Sequence, residues 1–387
     1  MGTQSKIQNQ KSKIPRPTWL EIDRSALVNN VAQLRRIIGP NRLLMGVVKA
    51  NGYGHGAVEV AQITGEAGVD CFAVASGSEG VELRAAGISA PILVLGFTPD
   101  WLAEESVARD LTTTVYDIET GLALHQSAIR LGKRAKVHVK VNTGMNRLGV
   151  NLADASGLLA ALADLPNLQV EGIFTHFSAS DLADKSMTIL QFDRFTALLD
   201  ELTRSGLRPP IAHAANSAAL LTLPQTHLDM ARSGIALYGL HPDDPETLLP
   251  AGFRPALSWK AVVAQVRQIP TGEGVSYGHE WVAPRPSTIA IIPVGYADGF
   301  PRRPLTWGSV LVHGQIAPIR GRVCMDQTLI DVTDIAAARP VRQGDEVVII
   351  GRQGDLEISA EAAGRRIGSI NYDVVSRILA RVPRVVS

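Results

Sequence analysis

The hydrophobic pattern of the chain changes character once, near residue 250. From residue 43 to about 240, short apolar runs alternate with longer amphipathic stretches. The runs are LLMGVVKA, DCFAVAS, PILVLGF, LTTTVYD, KVHVKVNTG, VEGIFTHFS, IAHAANS and ARSGIALYG. Each concentrates Val, Ile and Leu over a few residues, as parallel strands covered on both faces do. The intervening segments, such as HGAVEVAQITGEAG and SMTILQFDRFTALLDELTRSG, space their apolar residues as helices do, and the second ends at a glycine. Eight such strand-then-helix units over about 200 residues predict a (β/α)8 barrel. An open doubly wound sheet shares the local pattern. No GxGxxG opens a helix, which counts against a dinucleotide site.

Beyond this region HPDDPETLLPAGFRP, rich in Pro and acidic residues, reads as a linker. The strands SWKAVVAQVRQI, STIAIIPVG, GSVLVHG, QIAPIRGRV, TLIDVT and DEVVIIG follow, separated by Gly, Pro and Asp clusters. Helix returns only at ISAEAAGRRIG and near the C-terminus. The predicted organisation is a disordered leader over residues 1–16, a barrel over 17–247 and a mostly-β domain over 248–387.

The 387 residues are enough for two such domains. The net charge of +1 argues against a nucleic-acid or membrane-binding surface. Two cysteines far apart, without metal spacing, fit neither a disulfide framework nor a metal site and suit a reducing compartment. The leader MGTQSKIQNQKSKIP has no apolar core of a signal peptide, and the expected location is cytoplasmic.

In a (β/α)8 barrel the chemistry sits at the C-terminal ends of the strands. The first strand ends at Lys49, before a glycine-rich turn; burial there lowers a lysine's pKa and suits it to nucleophilic or Schiff-base chemistry. The fifth ends in KVNTGMNRLGV, where Lys140 and Arg147 bracket a turn and suit an anion or equally a solvated face. The sixth ends at His176, a residue type more often structural than catalytic in such a setting. The seventh supplies His213, Asn216 and Ser217; Ser217 and nearby N–H groups suit a phosphate. The eighth supplies Arg232, whose interior setting demands a partner. Gly234 follows, leaving the backbone of Gly234 and Ile235 open to a phosphate. In the second domain Tyr277, Tyr296 with Asp298 and Arg302, and Cys324-Met325-Asp326 lie in loops, and Tyr372 lies near the end. Loop tyrosines are most often amphipathic cover, and Cys324 reads as packing.

Taken together, VVKANGYGHG, KVNTGMNR, THFS, HAANS, RSGIALYG, GVSYG, PVGYADG, GRVCMDQ and NYD, in that order, resemble the alanine racemase family. The resemblance runs from about residue 18 to residue 384. It implies interconversion of L- and D-alanine by two bases on a pyridoxal 5'-phosphate aldimine, supplying D-alanine for peptidoglycan, in a head-to-tail homodimer. By position, Lys49 matches the cofactor-bearing lysine, and Tyr53, Ser217, Gly234, Ile235 and Tyr372 match the phosphate cradle. Asn216 falls in the same motif, and Arg232 matches the residue facing the pyridine nitrogen. His176 matches a residue stacked on that ring. Arg147 and the N–H of Met325 match the holders of the substrate carboxylate, Tyr277 the second base, and Tyr296 and Arg302 the entrance channel. Asn142 stands where many members have Asp, and Asp373 where Glu is commoner. Some members carry a carbamylated lysine at the position of Lys140.

These residue types suit racemisation. A carbanion at Cα needs an electron sink, and inversion needs a base on each face. A free tyrosine ionises at about pH 10, so a tyrosine base needs nearby charge and hydrogen bonds, which Arg232 and His176 would supply. An arginine stays protonated, so it leaves the pyridine nitrogen unprotonated and favours racemisation over transamination. The rivals are a single-barrel pyridoxal phosphate carrier, which has no β domain, a barrel decarboxylase, which pairs the pyridine nitrogen with a carboxylate, and a serine or broad-range racemase.

Overall fold

The computed structural model describes residues 14–242, 248–302 and 307–387. The first thirteen residues of the expected leader and residues 243–247 of the expected linker lie outside the described residues. The chain divides into two compact units. One is Ser25–Arg254, and the other is Pro255–Ser387 together with the N-terminal residues up to Arg24.

The N-terminal strand β1 (Thr18–Ile22) belongs to the second unit, not to the barrel as the sequence pattern had suggested. It pairs antiparallel with a later strand, Thr18 opposite Ala261, and parallel with the last strand, Leu20 opposite Arg384. Arg16, at the end of the expected leader, is ordered by Asp298, whose carboxylate it meets at 2.6 Å.

The first unit is a parallel barrel. Its strands are β2 (Leu43–Val47), β3 (Cys71–Val74), β4 (Ile92–Val94), β5 (Thr112–Val115) and β6 (Ala135–Asn142). After the two-residue β7 (Val150–Asn151) come β8 (Leu168–Phe174), β9 (Ile211–His213) and β10 (Met230–Ser233). All eight apolar runs form strands. They pair in the order β10-β2-β3-β4-β5-β6-β8-β9. Between β9 and β10 the ring is nearly closed by Asp229 N–H to the Ala212 carbonyl and Arg232 N–H to the Ala215 carbonyl, both at 3.1 Å.

Alternation along the strands sends every second side chain inward. Met45, Val47, Cys71, Ala73, Leu93 and Met230 form one interior cluster. On β6 the inward positions are polar, and His138 and Lys140 are both buried. Gly172 on β8 makes room for His138, because a Cβ there would lie 2.6 Å from the imidazole.

Residues 248–254 also go with the barrel, which moves the boundary from 247 to 254. Asn30, on the helix Arg24–Ile38, donates to the Arg254 carbonyl at 2.8 Å and accepts from the Arg254 N–H at 2.9 Å. After the barrel the second unit resumes with β11 (Leu257–Val262) and is mostly sheet. The run SWKAVVAQVRQI divides into β11 and a strand Gln265–Ile269 that joins a different sheet. Trp259, Phe300 and Trp307 pack edge to face or tilted at its core, with centroids 4.7–6.3 Å apart.

Candidate active site

The polar residues at the C-terminal ends of the barrel strands form the candidate site. Lys49 stands two residues beyond β2, half-buried. The backbone after it is unusual. Ala50, Asn51, Gly52 and Tyr53 have φ of 52°, 53°, 61° and 51°, one left-handed helical turn. Each non-glycine residue held there costs on the order of 1 kcal/mol. The turn is therefore held from outside. Glu79 Oε1 accepts the Ala50 N–H at 2.7 Å, and Asn51 Oδ1 accepts the Ala57 N–H at 2.9 Å. Burial and the charge of Arg147 lower the pKa of Lys49, while Glu79 opposes them.

Arg232 on β10 is buried, and among the described residues no carboxylate contacts it. Its Nη1 meets His213 Nδ1 at 2.9 Å, and its Nη2 meets His176 Nδ1 at 3.2 Å. Nη2 also donates to the carbonyls of Thr175 and Ala214, at 3.0 and 2.9 Å. His213 Nε2 lies 2.9 Å from His138 Nδ1, which extends the chain into the barrel interior. Burial pushes Arg232 down to about 9, still protonated near neutrality. Burial, then Arg232, holds His213 and His176 well below the usual imidazole range and His138 at about 3.

Lys140 on β6 lies 5.5 Å from the centre of the Phe174 ring. Burial first, then the charges of Arg147, Arg232 and Lys49, lowers its pKa to about 8. Arg147 is exposed in the loop between β6 and β7. That loop is shaped by Asn142, whose Oδ1 accepts the N–H groups of Gly144 and Asn146 at 3.1 and 3.0 Å. Both bonds need only an acceptor, so an amide in place of a carboxylate keeps the turn without its charge.

Beyond β9, Asn216 caps the short helix Ser217–Thr222, accepting the Ala219 N–H at 3.1 Å. Ser217 Oγ accepts the N–H groups of Gly234 and Ala236, at 2.9 and 3.3 Å. A Cβ on Gly234 would lie 2.7 Å from the Tyr53 hydroxyl. The absent side chain thus leaves a cradle among Tyr53, Ser217 and the backbone of Gly234 and the buried Ile235. Burial raises the Tyr53 pKa, so its hydroxyl remains a donor. The set fits pyridoxal phosphate: an amine for the aldehyde, a cradle of donors for the phosphate, and a buried guanidinium for the ring nitrogen.

The remaining expected residues belong to the second unit. Tyr277 and Met325 are 65% and 53% exposed. Three loops are tied together here. Ser276 donates to the Arg322 carbonyl at 2.6 Å, and the N–H groups of Tyr296 and Ala297 donate to the carbonyls of Cys324 and Met325 at 3.1 and 2.9 Å. Arg302 places its guanidinium 6.0 Å from the Tyr296 ring centre. Tyr372, half-buried, lies on the helix Asn371–Ser376. Asp373 beside it accepts from Ser369 at 2.8 Å.

The sequence reading missed Glu79 and the extension of the imidazole chain to His138. Ser76-x-x-Glu79 was visible as a capping box before a helix. His138 was visible two residues before Lys140, on the same face of its strand.

The chain matches the family described as alanine racemase, N-terminal domain, over residues 22–242, and alanine racemase, C-terminal domain, over residues 256–386. It is 45% identical over 374 residues to the alanine racemase of Methanococcus maripaludis, covering 96% of this chain and 99% of that one. With the alanine racemase of Symbiobacterium thermophilum it shares 47% over 369 residues, covering 95% and 97%. Among solved structures, an alanine racemase of Clostridium difficile 630 superposes with a TM-score of 0.92 at 38% identity, covering 97% of this chain and 96% of that one. One from Bacillus anthracis with bound L-Ala-P superposes with a TM-score of 0.89 at 38% identity, covering 96% and 95%.

Proposed function

The chain belongs to the alanine racemase family, which makes it a pyridoxal-phosphate-dependent isomerase of alanine, and on that premise we propose that Lys49 and Tyr277 are its two bases. The observation that carries this reading is the pairing of Lys49, at a barrel mouth, with a buried Arg232 that touches imidazoles and carbonyls and, among the described residues, no carboxylate. Bound pyridoxal phosphate supplies the electron sink that makes the substrate Cα–H acidic. Tyr53, Ser217 and the backbone of Gly234 and Ile235 would hold its phosphate, with Asn216 fixing the helix that carries Ser217, and Tyr372 matches the family's phosphate cradle by position.

Lys49 would hold the cofactor, and its amine would exchange the substrate's Cα proton on one face. Its lowered pKa favours the free amine that both tasks need. Tyr277 exchanges the proton on the other face. Arg147 and the Met325 N–H hold the substrate carboxylate, and Tyr296 and Arg302 line the approach. Arg232 keeps its own protons and would offer the ring nitrogen only a donor; His176, neutral beside it, holds the guanidinium's orientation. The exposure of Tyr277 and Met325 supports a homodimer in which a second copy supplies both to the barrel of the first.

The test is borohydride reduction of the holoenzyme followed by peptide mapping, beside a chiral assay of L-alanine conversion. Label on Lys49, and loss of both label and racemisation in Lys49→Ala, are expected. Label on Lys140 instead would overturn the assignment.

A further inference from the structure

The left-handed turn after Lys49 is bonded by a carboxylate that follows the next strand of the barrel. Glu79 lies on the helix Gly77–Ala85, which follows β3, and its side chain forks. Oε1 accepts the Ala50 N–H at 2.7 Å. Oε2 accepts the Ala75 N–H at 2.7 Å and, more weakly, the Ser76 N–H at 3.4 Å. One carboxylate therefore joins the residue after Lys49 to the end of the adjacent strand. Its bond to Ser76 completes a capping box, a purely local role that a glutamine performs equally well. The bond to Ala50 lies outside that role. It reaches a backbone N–H that a right-handed helix would direct elsewhere, in a turn where Ala50, Asn51 and Tyr53 all hold positive φ.

We propose that Glu79 is a positioning residue for the reaction: its forked carboxylate holds the left-handed turn that follows Lys49 and fixes the lysine against the end of β3. This rests on the reading of Lys49 as the cofactor-bearing base. Both carboxylate oxygens are engaged, so a glutamine retains one acceptor, loses the other and loses the charge. That charge opposes the effects of burial and Arg147 on Lys49. Glu79→Gln therefore separates the cap from the clamp.

The experiment compares Glu79→Gln, Glu79→Asp and Ser76→Ala in the full-length protein. Isotope-coded reductive methylation across pH, before cofactor is added, reads the pKa of Lys49. In Glu79→Gln that pKa is expected to fall below the wild-type value, because a raising charge has gone. With cofactor, kcat is expected to drop about tenfold with little change in KM, as for a lost positioning contact. The Tm stays within about 4 °C of wild type, because the cap survives. Ser76→Ala, which removes only the cap, lowers the Tm and leaves the Lys49 pKa and kcat unchanged. If Glu79→Gln leaves both at wild-type values, Glu79 is a cap and the proposal is overturned. Should Glu79→Gln fail to fold, Glu79→Asp decides: its shorter reach breaks the fork while keeping the charge, so kcat falls and the pKa holds, and a wild-type kcat rejects the clamp. Borohydride label on another lysine is a separate outcome, one that removes the premise about Lys49 while the methylation data still report whether Glu79 acts on it.

Discussion

Arg232 Nη1 and His213 Nδ1 meet at 2.9 Å inside the barrel, and the contact fixes where the imidazole keeps its proton. A guanidinium has only hydrogens to offer, so Arg232 donates and Nδ1 accepts. The proton of His213 is then on Nε2, which lies 2.9 Å from His138 Nδ1. His138 accepts in turn and carries its own proton on Nε2. The same logic applies to His176, whose Nδ1 lies 3.2 Å from Arg232 Nη2. One buried cation thus orients three neutral imidazoles.

Neutrality has a consequence for acid stability. Burial, then Arg232, depresses all three imidazoles, His138 to about 3. In the unfolded chain a histidine titrates near pH 6.5. Above that pH the two states bind equal numbers of protons at these sites. Below it the unfolded state binds more, so stability present above pH 6.5 is lost as pH falls toward the folded values. Unfolding near pH 5 is expected to take up about three protons from this group. Denaturant titrations across pH measure the uptake, and His138→Asn should lower it by about one. Nitrogen NMR should find all three rings as the Nε2–H tautomer throughout; a ring titrating near pH 6 would contradict the arrangement.

If Arg232 faces the ring nitrogen as proposed, Arg232→Glu would bring a carboxylate there and permit its protonation. Racemisation is expected to fall by at least about tenfold, with transamination rising relative to it. Product analysis by chiral chromatography and keto-acid assay reads the ratio. An unchanged ratio would assign Arg232 to structure alone, since the buried residue also orders His213 and His176.

The eight main strands of the barrel were legible because each lies in a short run rich in Val, Ile and Leu, even where β5 is mostly threonine and β6 carries His138 and Lys140. The ends of those strands were legible as chemistry because Lys49 and Arg232 are charged where burial is expected. The membership of β1 was not legible. TWLEI is an ordinary apolar run, and its pairings with β11, Thr18 to Ala261, and with the last strand, Leu20 to Arg384, place it in the second unit. The left-handed turn was hidden for a different reason. Gly52 advertises positive φ, but Ala50 and Tyr53 do not, and the bond that holds Ala50 comes from Glu79, 29 residues later. A capping box was visible in Ser76 and Glu79, while the second use of its carboxylate depends on β2 and β3 being neighbours.

On the proposed assignment Tyr277→Phe removes one base, and it spares the fold, because the side chain is 65% exposed. The two enantiomers should respond differently. Exchange of the Cα proton from D-alanine, assigned to Lys49, survives better than exchange from L-alanine. Deuterium incorporation from each enantiomer, followed by NMR, measures the asymmetry. Equal losses would make Tyr277 a structural residue of its loop.

Sharing of the site between two copies is testable with the same variant. Lys49 and Arg232 belong to the barrel unit, Tyr277 and Met325 to the other. If a second copy supplies Tyr277, a mixed dimer of Lys49→Ala and Tyr277→Phe chains has one site with both lesions and one with neither. Random assortment makes half the dimers mixed, so about a quarter of all sites regain wild-type composition. If each site were built from one chain, every site in every dimer would retain one lesion, and mixing would restore nothing. Activity rising toward a quarter of wild type as subunits exchange, with exchange followed by mass spectrometry of differently tagged chains, is the expected result. Activity that stays at the level of the separate variants after exchange is complete would reject the shared site and return Tyr277 to the barrel of its own chain.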